Sequence, residues 1–204
     1  VWPANPPFHR DSTEQGGTPT EKWYATGQVA LSEHAGTHMD APVHFAQGQA
    51  GIDGIPVDRL IGPAVVIDVR VAVKEDRDYR VSLSDIHRWE SAHRTIPAGA
   101  IVMLLTGWGV YWTDRERYFG STTPDVPTSL HFPGFSQEVA EFLVTERHIS
   151  GIGIDTASID YGPSRDFVVH RIVNGAGLYG LENVARLDEV PASGATVVAL
   201  PMKI

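Results

Sequence analysis

The sequence predicts a single α/β domain, and three apolar runs separated by two amphipathic stretches carry that prediction. Residues 64–69 (AVVIDV), 100–105 (AIVMLL) and 149–155 (ISGIGID) are of strand length and nearly continuously apolar. Strands buried on both faces read this way. Between these runs, residues 82–94 and 136–148 place apolar side chains three and four positions apart, which is a helical period. A chain of 204 residues, 42% hydrophobic and 20% charged, is long enough for one sizeable core.

Taken in order, the chain opens with Trp2, Pro3, Pro6, Pro7 and Phe8, followed by a polar run to Gly17. The prolines exclude a regular helix, so residues 1–22 read as an extended arm. Trp23, Ala25, Val29 and Leu31 partly alternate, which predicts a strand running toward Glu33. After a glycine-rich loop at 47–51, residues 55–60 suit one helical turn, and 64–69 form the first buried strand. Ser82 and Asp85 have the spacing of a capping box, with Ile86, Trp89 and His93 following on one face. His87 and His93 read as surface or helix-end groups.

Pro97, Ala98 and Gly99 turn the chain into the second buried strand, giving a strand-helix-strand unit. Residues 106–135 follow as a long irregular segment dense in aromatics, among them Trp108, Trp112, Tyr118 and Phe119. Such density suits the wall of a pocket for a flat or cyclic substrate. Ser136 starts a second helix with Val139, Phe142 and Leu143 inward and His148 at its end. The third buried strand ends at Asp155, which either orients a ligand or closes the strand structurally. A final strand is predicted over 195–200. There is no internal repeat and no interdomain linker.

Chemistry concentrates in residues 32–45, SEHAGTHMDAPVHF, which hold three of the nine histidines and one aspartate. Imidazole and carboxylate together suit Zn²⁺ or Mn²⁺ better than Mg²⁺ or Ca²⁺. On a straight strand His34 and His38 would stand about 13 Å apart, too far to share an ion. Gly36, Thr37 and Pro42 disfavour the helix that would bring them together. A strand bent at Ala35, Gly36 and Thr37 remains, with His38 and Asp40 sharing a face beyond the bend and His44 after the turn at Pro42. Thr37 either hydrogen-bonds the reacting groups or caps the bend.

Bulk properties narrow the partners. Sixteen basic against twenty-five acidic residues give a net charge of −9, with no basic run, which argues against nucleic acid and anionic membrane. Without cysteine there is no disulfide framework and no thiolate metal site. No apolar run approaches 18 residues and no signal-like segment opens the chain, so a cytoplasmic location is expected.

The segment HAGTHMDAPVHF resembles the H-x-G-[TA]-H-x-D-x-P-x-H-[FY] motif of the cyclase-like metal hydrolases, the family of bacterial kynurenine formamidase and isatin hydrolase. Residues 153–160 (GIDTASID) resemble that family's G-[IV]-D-T-x-S-[LI]-D segment, and residues 200–204 (LPMKI) its closing strand. The resemblance implies a mixed β-sheet flanked by helices, the swivelling β/β/α cyclase fold. It implies one or two divalent ions, Zn²⁺ or Mn²⁺, held by His34, His38, Asp40, His170 and Glu182, with His44 as the catalytic acid and base. It also implies that the arm with Trp2 and Phe8 approaches a substrate pocket and helps form a homodimer or homotetramer. Together with Trp108, Trp112 and Thr37, these complete the expected substrate-binding set.

The activity so implied is hydrolysis of a carbon–nitrogen bond in a small amide. The long aromatic segment favours a cyclic amide, as in isatin, over an N-formyl aromatic amine. A metal-dependent lyase or dehydratase and a non-catalytic metal-stabilised module are the alternatives of other classes.

Overall fold

The computed structural model describes residues 2–3, 5–17, 20 and 22–202, with the backbone alone at 12–15. Parts of the predicted arm (Val1, Ala4, Thr18, Pro19 and Glu21) and the last two residues of the predicted closing segment (Lys203 and Ile204) lie outside these residues.

Among the described residues ten strands and five α-helices follow one another. β1 (His9–Gly16) and β2 (Tyr24–Ala30) form an antiparallel hairpin. β3 (His38–Asp40) comes next, then β4 (Ile61–Asp68), α1 (Arg70–Glu75) and β5 (Arg80–Val81). α2 (Leu83–His93), β6 (Ile101–Leu105), α3 (Arg115–Phe119) and β7 (Gly134–Phe135) make up the middle of the chain. α4 (Gln137–Arg147), β8 (Gly151–Ile154), α5 (Val168–Gly175), β9 (Tyr179–Glu182) and β10 (Thr196–Val198) complete it.

The central sheet has the order β10-β4-β6-β8-β9-β3. Its four inner strands are parallel, while β10 and β3 pair antiparallel at the two edges. This is the mixed sheet expected, and the three apolar runs occupy its centre as β4, β6 and β8. Because successive side chains alternate between faces, the runs feed two cores. Val65, Ile67, Val102, Leu104, Ile152 and Ile154 face the helices, packing with Ile86, Trp89, Val139, Leu143, Val169 and Val173. Ala64, Val66, Ile101, Met103 and Leu105 face the other way, under Ile55, Leu60 and Leu187 from irregular segments. The α-helices thus gather on one face, and turns cover the other.

The helix boundaries follow their caps. Ser82 accepts the Asp85 N–H, and Asp85 in turn accepts the Ser82 N–H at 2.9 Å, the capping box read from the sequence. Ser136 caps α4 in the same manner, accepting the Val139 N–H.

Three segments differ from expectation. The arm contributes a strand, β1, because β2 supplies a pairing partner that local composition does not reveal. The segment 106–135 is less irregular than its composition suggests, containing two 3-10 turns, α3 and β7. Most of its aromatics are core: Trp108, Tyr118, Phe119, Phe132 and Phe135 are buried, and Trp112 is half exposed. The last strand is Thr196–Val198 and ends before the predicted 200–204 segment.

No helix among the described residues is long and apolar enough to cross a membrane.

Candidate metal centre

The site sits where the edge strand β3 closes against β9. Residues 33–37 bend, with Gly36 at φ +66°, a left-handed conformation that glycine adopts without the steric cost other residues bear. The chain then enters β3, and antiparallel register sets His38 opposite Glu182 and Asp40 opposite Gly180. A directly opposed pair brings the two side-chain bases to about 5 Å, so the register itself delivers Glu182 to His38. Thr37 locks the joint: its hydroxyl donates to the Asn183 carbonyl at 2.7 Å and accepts the Ala185 N–H at 3.3 Å. These two bonds tie the bend to the segment that follows β9.

The five residues named as ligands converge. His34 Nδ1 lies 3.1 Å from His38 Nε2 and 3.0 Å from Asp40 Oδ1. His38 Nε2 stands 3.3 Å from Asp40 Oδ1 and 3.4 Å from Glu182 Oε2. From α5, His170 Nε2 approaches Asp40 Oδ2 at 3.3 Å and Glu182 Oε1 at 3.1 Å. Both carboxylates therefore reach toward both groups of histidines. Asp40, His170 and Glu182 are 2%, 3% and 4% exposed.

Proton accounting shows what the cluster lacks. His38 Nδ1 lies 2.9 Å from the Gly36 carbonyl, which only accepts, so Nδ1 carries the hydrogen. His170 Nδ1 likewise donates to the Asp160 carboxylate at 2.7 Å. In neutral imidazoles the Nε2 atoms are then lone pairs aimed at carboxylates, a repulsive arrangement unless a cation sits between them. Asp40 Oδ1 is buried and accepts no hydrogen bond among the described residues. Donor atoms about 2.05 Å from a tetrahedral ion are about 3.3 Å apart, matching the separations here. The donor set fits a divalent metal.

Without such an ion, protons supply the positive charge. Burial works against His38 ionising, but the adjacent carboxylates of Asp40 and Glu182 outweigh it and raise its pKa to about 10. His170 is raised in the same way, against its burial, by Asp160, Asp40 and Glu182. Asp40, despite its own burial, is held well below the usual carboxylate range by His170, His34 and His38.

His44 follows the turn at Pro42, and its ring centroid lies 4.5 Å from that of His34 and 5.8 Å from that of His170. It keeps an exposed edge, yet these neighbours and Phe45 at 4.7 Å desolvate the ring and lower its pKa. Two sets of donors lie within 4.8 Å of one another: His34, His38, Asp40 and Glu182, and separately Asp40, His44 and His170.

The aromatic residues divide. Trp2 and Trp112 line a cavity of about 180 Å³ beside His34 and His38, together with Tyr118 and Phe119. Trp108 is held in the core, its Nε1 donating to the Tyr118 carbonyl at 2.6 Å, and its edge reaches a larger groove of about 1480 Å³. Phe8 is 56% exposed and lines neither space. Asp155 is fully engaged, accepting from the Thr106 N–H and hydroxyl and the Gly107 N–H. Burial nonetheless raises its pKa.

Two residues that sequence reasoning did not assign also touch the centre. Asn183, at φ +52°, accepts the Tyr118 hydroxyl at 2.6 Å and sits 3.4 Å from His38. Asp160 holds His170. Its place at the end of GIDTASID was a signal available in the sequence.

Known proteins place the chain. The family model named Cyclase matches residues 1–161. Isatin hydrolase of Roseibium aggregatum is 32% identical over 190 residues, covering 89% of this chain and 70% of the relative. Kynurenine formamidase of Salinibacter ruber is 31% identical over 205 residues, covering 100% and 84%. The solved structure of isatin hydrolase A from Ralstonia solanacearum superposes with a TM-score of 0.87 at 32% identity, covering 97% of this chain and 76% of that one. Fold, motif and matched sequence agree, and the chain belongs to the cyclase family.

Proposed function

We propose that this protein is a metal-dependent hydrolase that opens a carbon–nitrogen bond in a cyclic amide or related small amide. The observation that carries the reading is the buried Asp40 carboxylate, faced by imidazole nitrogens of His34, His38 and His170 at 3.0–3.3 Å, with one oxygen accepting no hydrogen bond among the described residues. Its resemblance to isatin hydrolase and kynurenine formamidase supplies the bond type.

His34, His38, Asp40, His170 and Glu182 would hold one or two ions, Zn²⁺ or Mn²⁺. Such an ion supplies Lewis-acid polarisation of a carbonyl and a water acidic enough to attack near neutral pH. The chain supplies the rest. His44, kept neutral by its lowered pKa, takes a proton from the attacking water and returns it to the leaving nitrogen. Trp2, Trp112, Tyr118 and Phe119 form the wall of a cavity of about 180 Å³, suited to a flat ring. Thr37 acts through the backbone it fastens.

Isatin and an N-formyl aromatic amine are the discriminating substrates, assayed by stoichiometric acid release with and without added metal. Preference for the N-formyl compound selects the formamidase reading. Turnover without incorporation of labelled water oxygen selects a lyase. Chelation that lowers Tm, with nothing turned over across amides, lactams and lactones, selects a non-catalytic module. Assembly into two or four copies belongs to the same proposal. It is supported by exposed Trp23, Val29 and Leu31 on and beside the β1–β2 hairpin, and light scattering measures it.

A further inference from the structure

Asp160 is 1% exposed, and its carboxylate accepts four hydrogen bonds. Oδ1 takes the Val169 N–H at 3.1 Å and the Ser164 hydroxyl at 3.2 Å. Oδ2 takes the His170 N–H at 3.1 Å and the His170 ring Nδ1–H at 2.7 Å. Two of these bonds, from the Val169 and His170 N–H groups, are those of a helix cap, and the Ser164 hydroxyl braces the carboxylate beside it. Val169 and His170 are the second and third residues of α5, and Phe167 at its start provides no side-chain cap. A buried aspartate there satisfies N–H groups that would otherwise lack partners.

The fourth bond does something a cap has no need of. A carboxylate oxygen at 2.7 Å from Nδ1 commits that nitrogen to donating and leaves Nε2 as the ring's lone pair. It also fixes the plane of the ring, and Nε2 then points between Asp40 and Glu182 at 3.3 and 3.1 Å. His38 is oriented more weakly, by the neutral Gly36 carbonyl at 2.9 Å. A carboxylate behind a ligating imidazole also strengthens its donor power toward a metal.

We propose that Asp160 is a positioning residue of the metal centre, which holds His170 in the tautomer and orientation needed to bind a divalent ion through Nε2. The inference rests on the metal-centre part of the functional reading and is independent of which bond the enzyme breaks. A purely structural role, capping α5, is the competing account.

Ser164 separates the two. Its hydroxyl donates to Asp160 Oδ1 and accepts the Phe167 N–H at 3.2 Å, so Ser164→Ala disturbs the same cap without touching the His170 ring. The experiment strips and reloads the whole chain as wild type, Asp160→Asn and Ser164→Ala. It measures Zn²⁺ and Mn²⁺ affinity by competition with a chromophoric chelator, Tm in chelator, and the long-range ¹H–¹⁵N imidazole spectrum of the Zn²⁺-loaded protein. Asp160→Asn is expected to lose about 10–100-fold in metal affinity and the fixed Nδ1–H signal of His170. Ser164→Ala is expected to lower Tm while keeping both.

Unchanged affinity in Asp160→Asn, or an affinity loss shared by Ser164→Ala, overturns the proposal. If Asp160→Asn does not fold, the wild-type spectrum decides: a His170 proton on Nε2 overturns the proposal, and one on Nδ1 sustains it. Wild-type protein that binds the ions but turns over no amide sinks the hydrolase reading and leaves this one standing. Wild-type protein that binds neither ion sinks both.

Discussion

Metal binding should expel about two protons, and the number follows from the site. In the metal-free protein His38 has a pKa of about 10 and His170 is raised in the same direction. At pH 7.5 a group with a pKa of about 10 is more than about 99% protonated. Coordination needs the Nε2 lone pair of each ring, so each imidazolium must release its proton as the ion enters. His44, lowered below 6.5, is neutral at that pH and contributes nothing. While both rings are protonated in the free protein, two protons released make apparent affinity rise about 100-fold per pH unit, or about 2.7 kcal/mol. Titration calorimetry in buffers of different ionisation enthalpy reads the number directly, as the slope of observed heat against buffer enthalpy. A slope near zero, with the ion bound, would refute the reasoning, because the histidines would then be neutral beforehand or not ligands.

The same shifts make the chelated protein lose stability as pH rises. His38 is raised above its unfolded value of 6.5 to about 10, so its contribution is full below 6.5 and disappears by about 10. Tm in chelator should fall across that window, with a limiting slope of about 1.4 kcal/mol per pH unit for this group, and metal-loaded protein should not follow it. His44→Ala should keep its ions by elemental analysis while losing about 10²-fold or more in kcat; loss of metal instead would make His44 a ligand. Because the lowered His44 acts as a base only when neutral, wild-type activity should fall on the acid side with a midpoint below 6.5, and an acid limb above that value would count against it. Gly36→Ala meets no neighbouring atom within 4 Å but must hold φ +66°. It should cost about 1–2 kcal/mol by denaturant unfolding, and a neutral result would show that the bend relaxes.

Legibility in the sequence followed the range of the interaction. The inner strands β4, β6 and β8 were readable because burial on both faces leaves an apolar run, and α2 because its Ser82–Asp85 cap is local. His34, His38 and Asp40 stood out for the same reason, being packed within seven residues around a glycine. The pairing of β1 with β2 and of β3 with β9 left no such mark, since each strand's partner is set by register across the fold. His170 and Glu182 were therefore available only through resemblance, until the register placed Glu182 opposite His38. The aromatic segment misled in part, because composition cannot distinguish a ring that walls a cavity, such as Trp112, from one that fills the core, such as Trp108. Asp160 stands inside the GIDTASID segment, but its role depends on where α5 begins, which that segment does not show.

The separation of the ligands along the chain has a consequence for synthesis. Asp40 and His170 are 130 residues apart, so a ribosome adding roughly 5–20 residues per second takes roughly 6–26 seconds between them. Throughout that interval the nascent chain exposes His34, His38 and Asp40 without the groups that complete their cage. β3 is an edge strand whose one neighbour in the sheet among the described residues is β9, so it too must wait for residues 179–182. The centre thus closes only once β9 has been made, and ion capture reports that β9 has joined the sheet.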